Sequence, residues 1–243
     1  MNDRMIGDPI GTGARYLAFR GEIDRICRAC GRDPAEVVLV AVSKNADAAA
    51  AAEAVRAGAQ DLGENRVQEL LSKQAALAGE GLSPRWHLIG TLQTNKVRQV
   101  AGRTELIHSV DRLDLAQEID RRSQAMGIAT SILLQVNIAH EASKHGFDPA
   151  ETARSLAEMA RMPGLRVEGL MTMAPLDGGM AAAEDTFGAA RGLFDRLRAA
   201  GDADPAVFRL LSMGMSGDYE AAIRAGATHV RVGGAIFGPK NVT

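Results

Sequence analysis

Short apolar runs alternate with longer amphipathic or alanine-rich stretches along almost the whole chain. The clearest run is Val37-Val38-Leu39-Val40-Ala41-Val42-Ser43. Its β-branched and small residues occupy both parities, which predicts a parallel strand buried on both faces. Further strands are predicted near 59–63, 85–89, 105–110, 132–137, 166–173, 208–213 and 228–233. Between them lie helical patterns such as Asp111 to Met126 and Asp148 to Met162, and a helix near 13–30 precedes the first strand. Asp148-Pro149 reads as a helix start, and Pro163-Gly164 and Gly201 as helix stops. The phrases Ala54-Val55-Arg56-Ala57-Gly58-Ala59 and Ala222-Ile223-Arg224-Ala225-Gly226-Ala227 nearly repeat, each a helix end with a C-cap glycine leading into a strand.

Regular β-α alternation without a composition break predicts an α/β protein, a single-domain (β/α)8 TIM barrel with an extra N-terminal helix. An open doubly wound sheet is the competing arrangement. No Pro/Gly/Ser-rich linker divides the chain, so residues 13–243 are expected to form one domain, with 1–12 a flexible N-terminus.

A barrel puts the last strand beside the first, and this changes the meaning of Lys44. A lysine ending an apolar strand can snorkel to solvent. It can also serve as a free amine toward a carbonyl, because burial disfavours the charged form. Lys44 shares strand parity with Val38, Val40 and Val42, and Arg231 shares parity with His229 and Gly233. If those faces point inward, the two cations meet at the carboxyl end of the barrel, where this fold builds its sites. Strand seven runs into Ser212-Met213-Gly214-Met215-Ser216-Gly217 and strand eight into Gly233-Gly234. The loops after these two strands are the usual phosphate place in this fold. An amine, a permanent cation and a glycine/serine cup together suit a phosphorylated aldehyde such as pyridoxal 5′-phosphate.

Composition narrows the function class. Hydrophobic content of 46%, charged content of 24% and a net charge of -2 describe an ordinary globular protein and argue against nucleic acid as a partner. No run approaches the ~18 apolar residues of a membrane span, and the N-terminus lacks a secretory-type apolar segment. A cytoplasmic location is expected. The only cysteines form Cys27-Arg28-Ala29-Cys30 within an amphipathic helical pattern. They read as reduced helix residues rather than a redox pair or half of a zinc site.

The ordered motifs resemble a known family. Ala41-Val42-Ser43-Lys44, Gly63-Glu64-Asn65-Arg66-Val67-Gln68-Glu69 and Trp86-His87-Leu88-Ile89-Gly90-Thr91-Leu92-Gln93-Thr94-Asn95-Lys96 are similar to the YggS/PROSC-like pyridoxal phosphate homeostasis proteins. So are Gln135-Val136-Asn137 with Glu141, Lys144 and Gly146, then Leu211 to Ser216 and Val230 to Gly233. The resemblance runs from about residue 15 to 240 and implies a barrel of the alanine racemase N-terminal type. It implies that Lys44 is the Schiff-base lysine, Arg231 the partner of the pyridine nitrogen, and Ser216, Gly233 and Gly234 phosphate contacts, with Asn65 near the ring. Asn45-Ala46, Gly234 and Lys240 depart from the usual Thr-Lys-Pro, threonine and arginine, which bears on cofactor affinity.

An arginine can only donate, so it would keep the pyridine nitrogen unprotonated and the ring a poor electron sink. Racemisation tolerates a weak sink but needs a second acid/base on the far face of the substrate. The racemases with this barrel take a tyrosine from an additional C-terminal β domain, and the sequence ends at Thr243 without one. Tyr16 falls in the first helix and Tyr219 opens another. His87 and His108 read as core or rim residues, His145 as a loop residue, and His140 as the one loose acid/base candidate. The expectation is a protein that holds and delivers pyridoxal phosphate, with no metal and no catalytic residues of its own. Its expected partners are the cofactor and recipient apoenzymes, with no membrane, and it is expected to be a monomer or weak dimer. The alternative is a minor amino-acid racemase or lyase.

Overall fold

The computed structural model of the chain, which describes residues 11–141, 145–175, 177–201 and 204–238, closes eight parallel strands into a barrel in sequence order. The strands are β1 (Val38–Val42), β2 (Asp61–Glu64), β3 (Arg85–Leu88), β4 (Leu106–Val110), β5 (Thr130–Gln135), β6 (Leu165–Met171), β7 (Leu210–Ser212) and β8 (His229–Val232). The helices are α1 (Thr12–Ala29), α2 (Ala48–Arg56), α3 (Val67–Gly79), α4 (Val97–Val100), α5 (Leu113–Ala125), α6 (Thr152–Met159), α7 (Gly179–Ala199), α8 (Tyr219–Arg224) and α9 (Gly234–Phe237). The doubly wound alternative is excluded, because β8 pairs in parallel with β1. The expected loose segment lies largely in residues 1–10, outside the described residues, as do Lys144 and Lys240. Helix α1 begins at Thr12, which is buried.

Outward parities carry the apolar shell. Leu39 and Ala41 of β1, Leu62 of β2, Leu88 of β3, Ile132 and Leu134 of β5, and Val230 and Val232 of β8 pack with the helices in one continuous core. The near-repeated phrases both end helices in the same way. Gly58 and Gly226 take positive φ of 107° and 93°, and Ala59 and Ala227 donate back to Ala54 and Ala222 at 3.0 and 2.9 Å. These double turns are Schellman motifs. The first of them delays β2 to Asp61, two residues later than its apolar pattern predicts. Strand β7 is likewise short, because Phe208 leaves the strand to stack on Phe194 of α7, with ring centroids 5.2 Å apart.

The inward face is divided. Leu106, Leu133 and Met171 form a separate apolar cluster on one side of the lumen. Beside them stand Asp61, His87, His108, Ser212, His229 and Arg231, all buried. A barrel interior is ordinarily filled by branched apolar residues, so a polar half marks the place where this fold has been given another task.

Candidate functional site

Strand β1 brings Lys44 to the carboxyl end of the barrel but does not bury it. The last laddered residue is Val42, paired with Gly63, and Ser43 follows, fully buried. Lys44 stands in the turn beyond and is exposed. The desolvation expected of a strand-end lysine is therefore not supplied by the chain itself. Asn45 occupies φ 67°, a left-handed conformation that asparagine adopts more readily than most residues. Asp47 then caps α2, its Oδ1 accepting from the Ala50 amide at 2.8 Å.

The turn is held from below by a buried ion pair. Lys73 of α3 donates to Glu64 Oε1 at 2.6 Å and to the Ser43 carbonyl oxygen at 2.7 Å. The Ser43 hydroxyl donates to the same Glu64 oxygen at 2.6 Å, while Glu64 Oε2 finds no partner among the described residues. Burial pushes the Glu64 carboxyl up, against the bonds from Lys73 and Ser43 that pull it down. Three side chains thus fix the backbone immediately before the lysine.

The remaining expected residues lie on neighbouring strand ends. Asn65 follows β2 and is half-buried. Its backbone passes so close to Gly90 that a Cβ there would meet Asn65 O at 2.4 Å. Ser216 is exposed on the turn after β7. Gly233 closes β8 half-buried, where a Cβ would lie 3.2 Å from the Val42 carbonyl oxygen, whereas Gly234 faces open space. The helices that follow, α8 and α9, span six and four residues, so little dipole stands behind the glycines. In barrel order β7, β8, β1 and β2 are contiguous. Lys44, Asn65, Ser216, Gly233 and Gly234 therefore share one arc of the rim.

Arg231 rises from inside the wall, level with Val40 of β1. Its Nη1 donates to Ser212 Oγ at 2.6 Å and its Nη2 to the Thr172 carbonyl oxygen at 3.0 Å. Burial lowers its guanidinium to about 10, and among the described residues no carboxylate lies within ion-pair reach of it. Ser212 and Thr172 were not legible as site residues. Their only signal is a hydroxyl on the inward parity of β7 and another just past β6.

The acid/base candidates stand elsewhere. Tyr219 opens α8 and packs its ring on Phe19 of α1, centroids 4.6 Å apart. Tyr16 donates to the Gly58 carbonyl oxygen. His140, at φ 52°, is exposed beside Asp148, and His145 is exposed beside Asp111. Cys27 and Cys30 are free thiols, and no metal-holding group of His, Cys, Asp or Glu occurs among the described residues.

The family model for the alanine racemase N-terminal domain matches residues 17–241. The chain is 43% identical over 219 residues to a pyridoxal phosphate homeostasis protein of Pseudomonas aeruginosa, covering 90% of this chain and 91% of that protein. It is 39% identical over 223 residues to the Escherichia coli K12 protein of the same name, covering 91% and 94%. Among solved structures it resembles PipY of Synechococcus elongatus PCC7942 with PLP bound, at 36% identity and a TM-score of 0.81, covering 93% of this chain and all of that one. An alanine racemase of Clostridium difficile 630 shares the fold at 16% identity, with a TM-score of 0.69 over 56% of its length.

Proposed function

The chain belongs to the alanine racemase N-terminal domain family, and from that premise we propose that it binds pyridoxal 5′-phosphate through Lys44 and serves in pyridoxal phosphate homeostasis. The cofactor supplies an aldehyde that a lysine amine can hold covalently. Lys44 offers an accessible amine above the lumen. Ser216, Gly233 and Gly234 offer a hydroxyl and bare backbone N–H groups to the phosphate, and Asn65 borders the ring. The observation that carries the reading is Arg231, a buried cation with no carboxylate within ion-pair distance among the described residues, placed inside the wall below that rim.

The residues favour holding over turnover. Arg231 can only donate, so it leaves the ring nitrogen unprotonated and the ring a weak electron sink. Tyr16 gives its hydroxyl to the Gly58 carbonyl oxygen, and Tyr219 packs its ring on Phe19 of α1. Among the described residues no helix is long and apolar enough to cross a membrane. We place recipient apoenzymes, a cytoplasmic location and a monomeric or weakly dimeric state within the same proposal.

The test is an absorption spectrum of the purified protein with added pyridoxal phosphate, before and after borohydride, followed by peptide mapping. A reduced adduct on Lys44 is expected, with no turnover across a panel of amino acids. An adduct on another lysine, or none, overturns the reading; racemisation at a kcat on the order of 1 s⁻¹ or more replaces it with the enzymatic one.

Two substitutions separate the phosphate contacts. Ser216→Ala is expected to cost about 1.5–3 kcal/mol of cofactor affinity, the worth of one hydrogen bond to a charged group. Gly234→Val adds bulk in open space, so it is expected to weaken the cofactor without changing the melting temperature. Gly233→Val is a poorer probe, because its side chain would press on the Val42 carbonyl. Dissociation constants measured by fluorescence titration, unchanged in both variants, would place the phosphate elsewhere.

A further inference from the structure

Five side chains thread the lumen from its floor to Arg231. Asp61 Oδ1 lies 2.9 Å from His87 Nε2, and His87 Nδ1 lies 2.9 Å from His108 Nε2. His108 Nδ1 lies 2.8 Å from Ser212 Oγ, and Ser212 Oγ accepts from Arg231 Nη1 at 2.6 Å. All five are buried. The Asp61 end fixes the direction of the chain. A carboxylate can only accept, so Asp61 takes the His87 Nε2–H. A neutral His87 then accepts at Nδ1 from His108 Nε2. The bare His108 Nδ1 accepts from the Ser212 hydroxyl, while a Ser212 lone pair accepts from Arg231.

Asp61 can only accept. Burial would raise its carboxyl, but the bonds from His87 and Arg85 win and hold it down at about 2. Burial drives His108 well down and His229 to about 3, which favours the neutral imidazole at both. The His229 ring lies 6.0 Å from each of the other two, tilted against His87 and edge-on to His108, with its Nδ1 on Thr228 Oγ1. At the floor Arg85 binds Asp61, and Glu105, Glu168 and Arg209 line a cavity of about 210 Å³. With both histidines on Nε2–H, every link has one donor and one acceptor.

We propose that Ser212, His108, His87 and Asp61 form a one-directional hydrogen-bond relay that positions the Arg231 guanidinium and commits it to donate toward the ring nitrogen of the bound cofactor. Asp218, and not Asp61, is the carboxylate whose charge bears on the guanidinium, so the relay acts through hydrogen-bond direction and not by neutralising Arg231. Ser212 and His108 are positioning residues in this scheme. The inference rests on the reading that Arg231 faces the cofactor ring.

The first test needs no cofactor. Long-range ¹H–¹⁵N correlation spectra at neutral pH are expected to show His87 and His108 with protonated Nε2 and bare Nδ1; the opposite tautomer at either ring overturns the relay. The second uses pyridoxal phosphate labelled with ¹⁵N in the ring. In the wild type the ring nitrogen is expected to stay unprotonated down to mildly acidic pH. Ser212→Ala and His108→Leu are expected to shift its signal toward the protonated form there and to raise Kd about tenfold. Ser212→Thr keeps the hydroxyl, and His108→Gln keeps one acceptor and one donor, so both are expected to restore the wild-type signal. A merely structural role for the chain would move stability but not the nitrogen signal. Failure of the wild type to form a Lys44 adduct would remove the underlying reading. An adduct whose nitrogen signal and Kd ignore Ser212→Ala and His108→Leu would overturn the relay alone.

Discussion

Lys44→Ala is expected to lose the borohydride-trappable adduct and its near-visible absorption completely, with a melting temperature close to wild type. The position explains both halves. Lys44 stands exposed beyond the last β1 pair, so truncation opens no core cavity, and surface substitutions of this kind usually stay within about 0.5 kcal/mol. The elements that shape the turn lie in its neighbours: the Ser43 carbonyl gripped by Lys73, the Ala46 amide closing onto that carbonyl at 2.9 Å, and the Asp47 cap. Residual affinity is expected from the phosphate cup and Arg231, measurable by equilibrium dialysis. An adduct of unchanged yield on the alanine variant would mean that another lysine carries the aldehyde, and the assignment of Lys44 would fall.

The exposure of Lys44 also shows what a linear reading can and cannot recover. Its place at a barrel mouth followed from the apolar parities of β1 and β8, because period-2 burial and strand order decide which ends meet. The glycine/serine loops after β7 and β8 followed from the same strand order, whereas Asn65 entered only through the family resemblance. The burial of Lys44 was inferred from strand chemistry alone, and that failed because the ladder stops at Val42 and Asn45 turns the chain outward. The relay was beyond such reasoning for a different reason. His87 and His108 look like ordinary core histidines taken singly, and Asp61 like a strand-end acid. Only the barrel's register brings β2, β3, β4 and β7 round to Arg231 on β8. Polar residues at Asp61, His87, His108, His229 and Arg231, on the parity opposite an apolar one, were the visible sign that the lumen is not a plain core.

Lys73 carried no such sign, and its removal is expected to be the largest stability effect in the molecule. On α3 it reads as one more solvated helix lysine, yet its side chain is 9% exposed and that of Glu64 0%. Lys73→Ala would leave Glu64 buried with only the Ser43 hydroxyl for company, and breaking one side of a buried pair costs about 3–5 kcal/mol. The sign with pH follows from Glu64. Its carboxyl is raised by burial even with Lys73 present, and losing the ammonium removes a group that lowers it. A folded-state value raised above the unfolded one favours the folded state at low pH, and that advantage is lost as pH rises through the folded value. Chemical denaturation of the variant should therefore show a deficit that shrinks from neutral toward mildly acidic pH. Glu64→Gln added to Lys73→Ala should recover most of the loss at neutral pH, because a neutral amide costs less to bury than an unpaired carboxylate. The single variant should also trap less cofactor at Lys44 under conditions where it is still folded, since the Ser43 carbonyl has lost its ammonium donor. A pH-independent deficit of under about 1 kcal/mol, the range of an exposed salt bridge, would show that Lys73 is solvated and that the turn before Lys44 is held by its backbone alone.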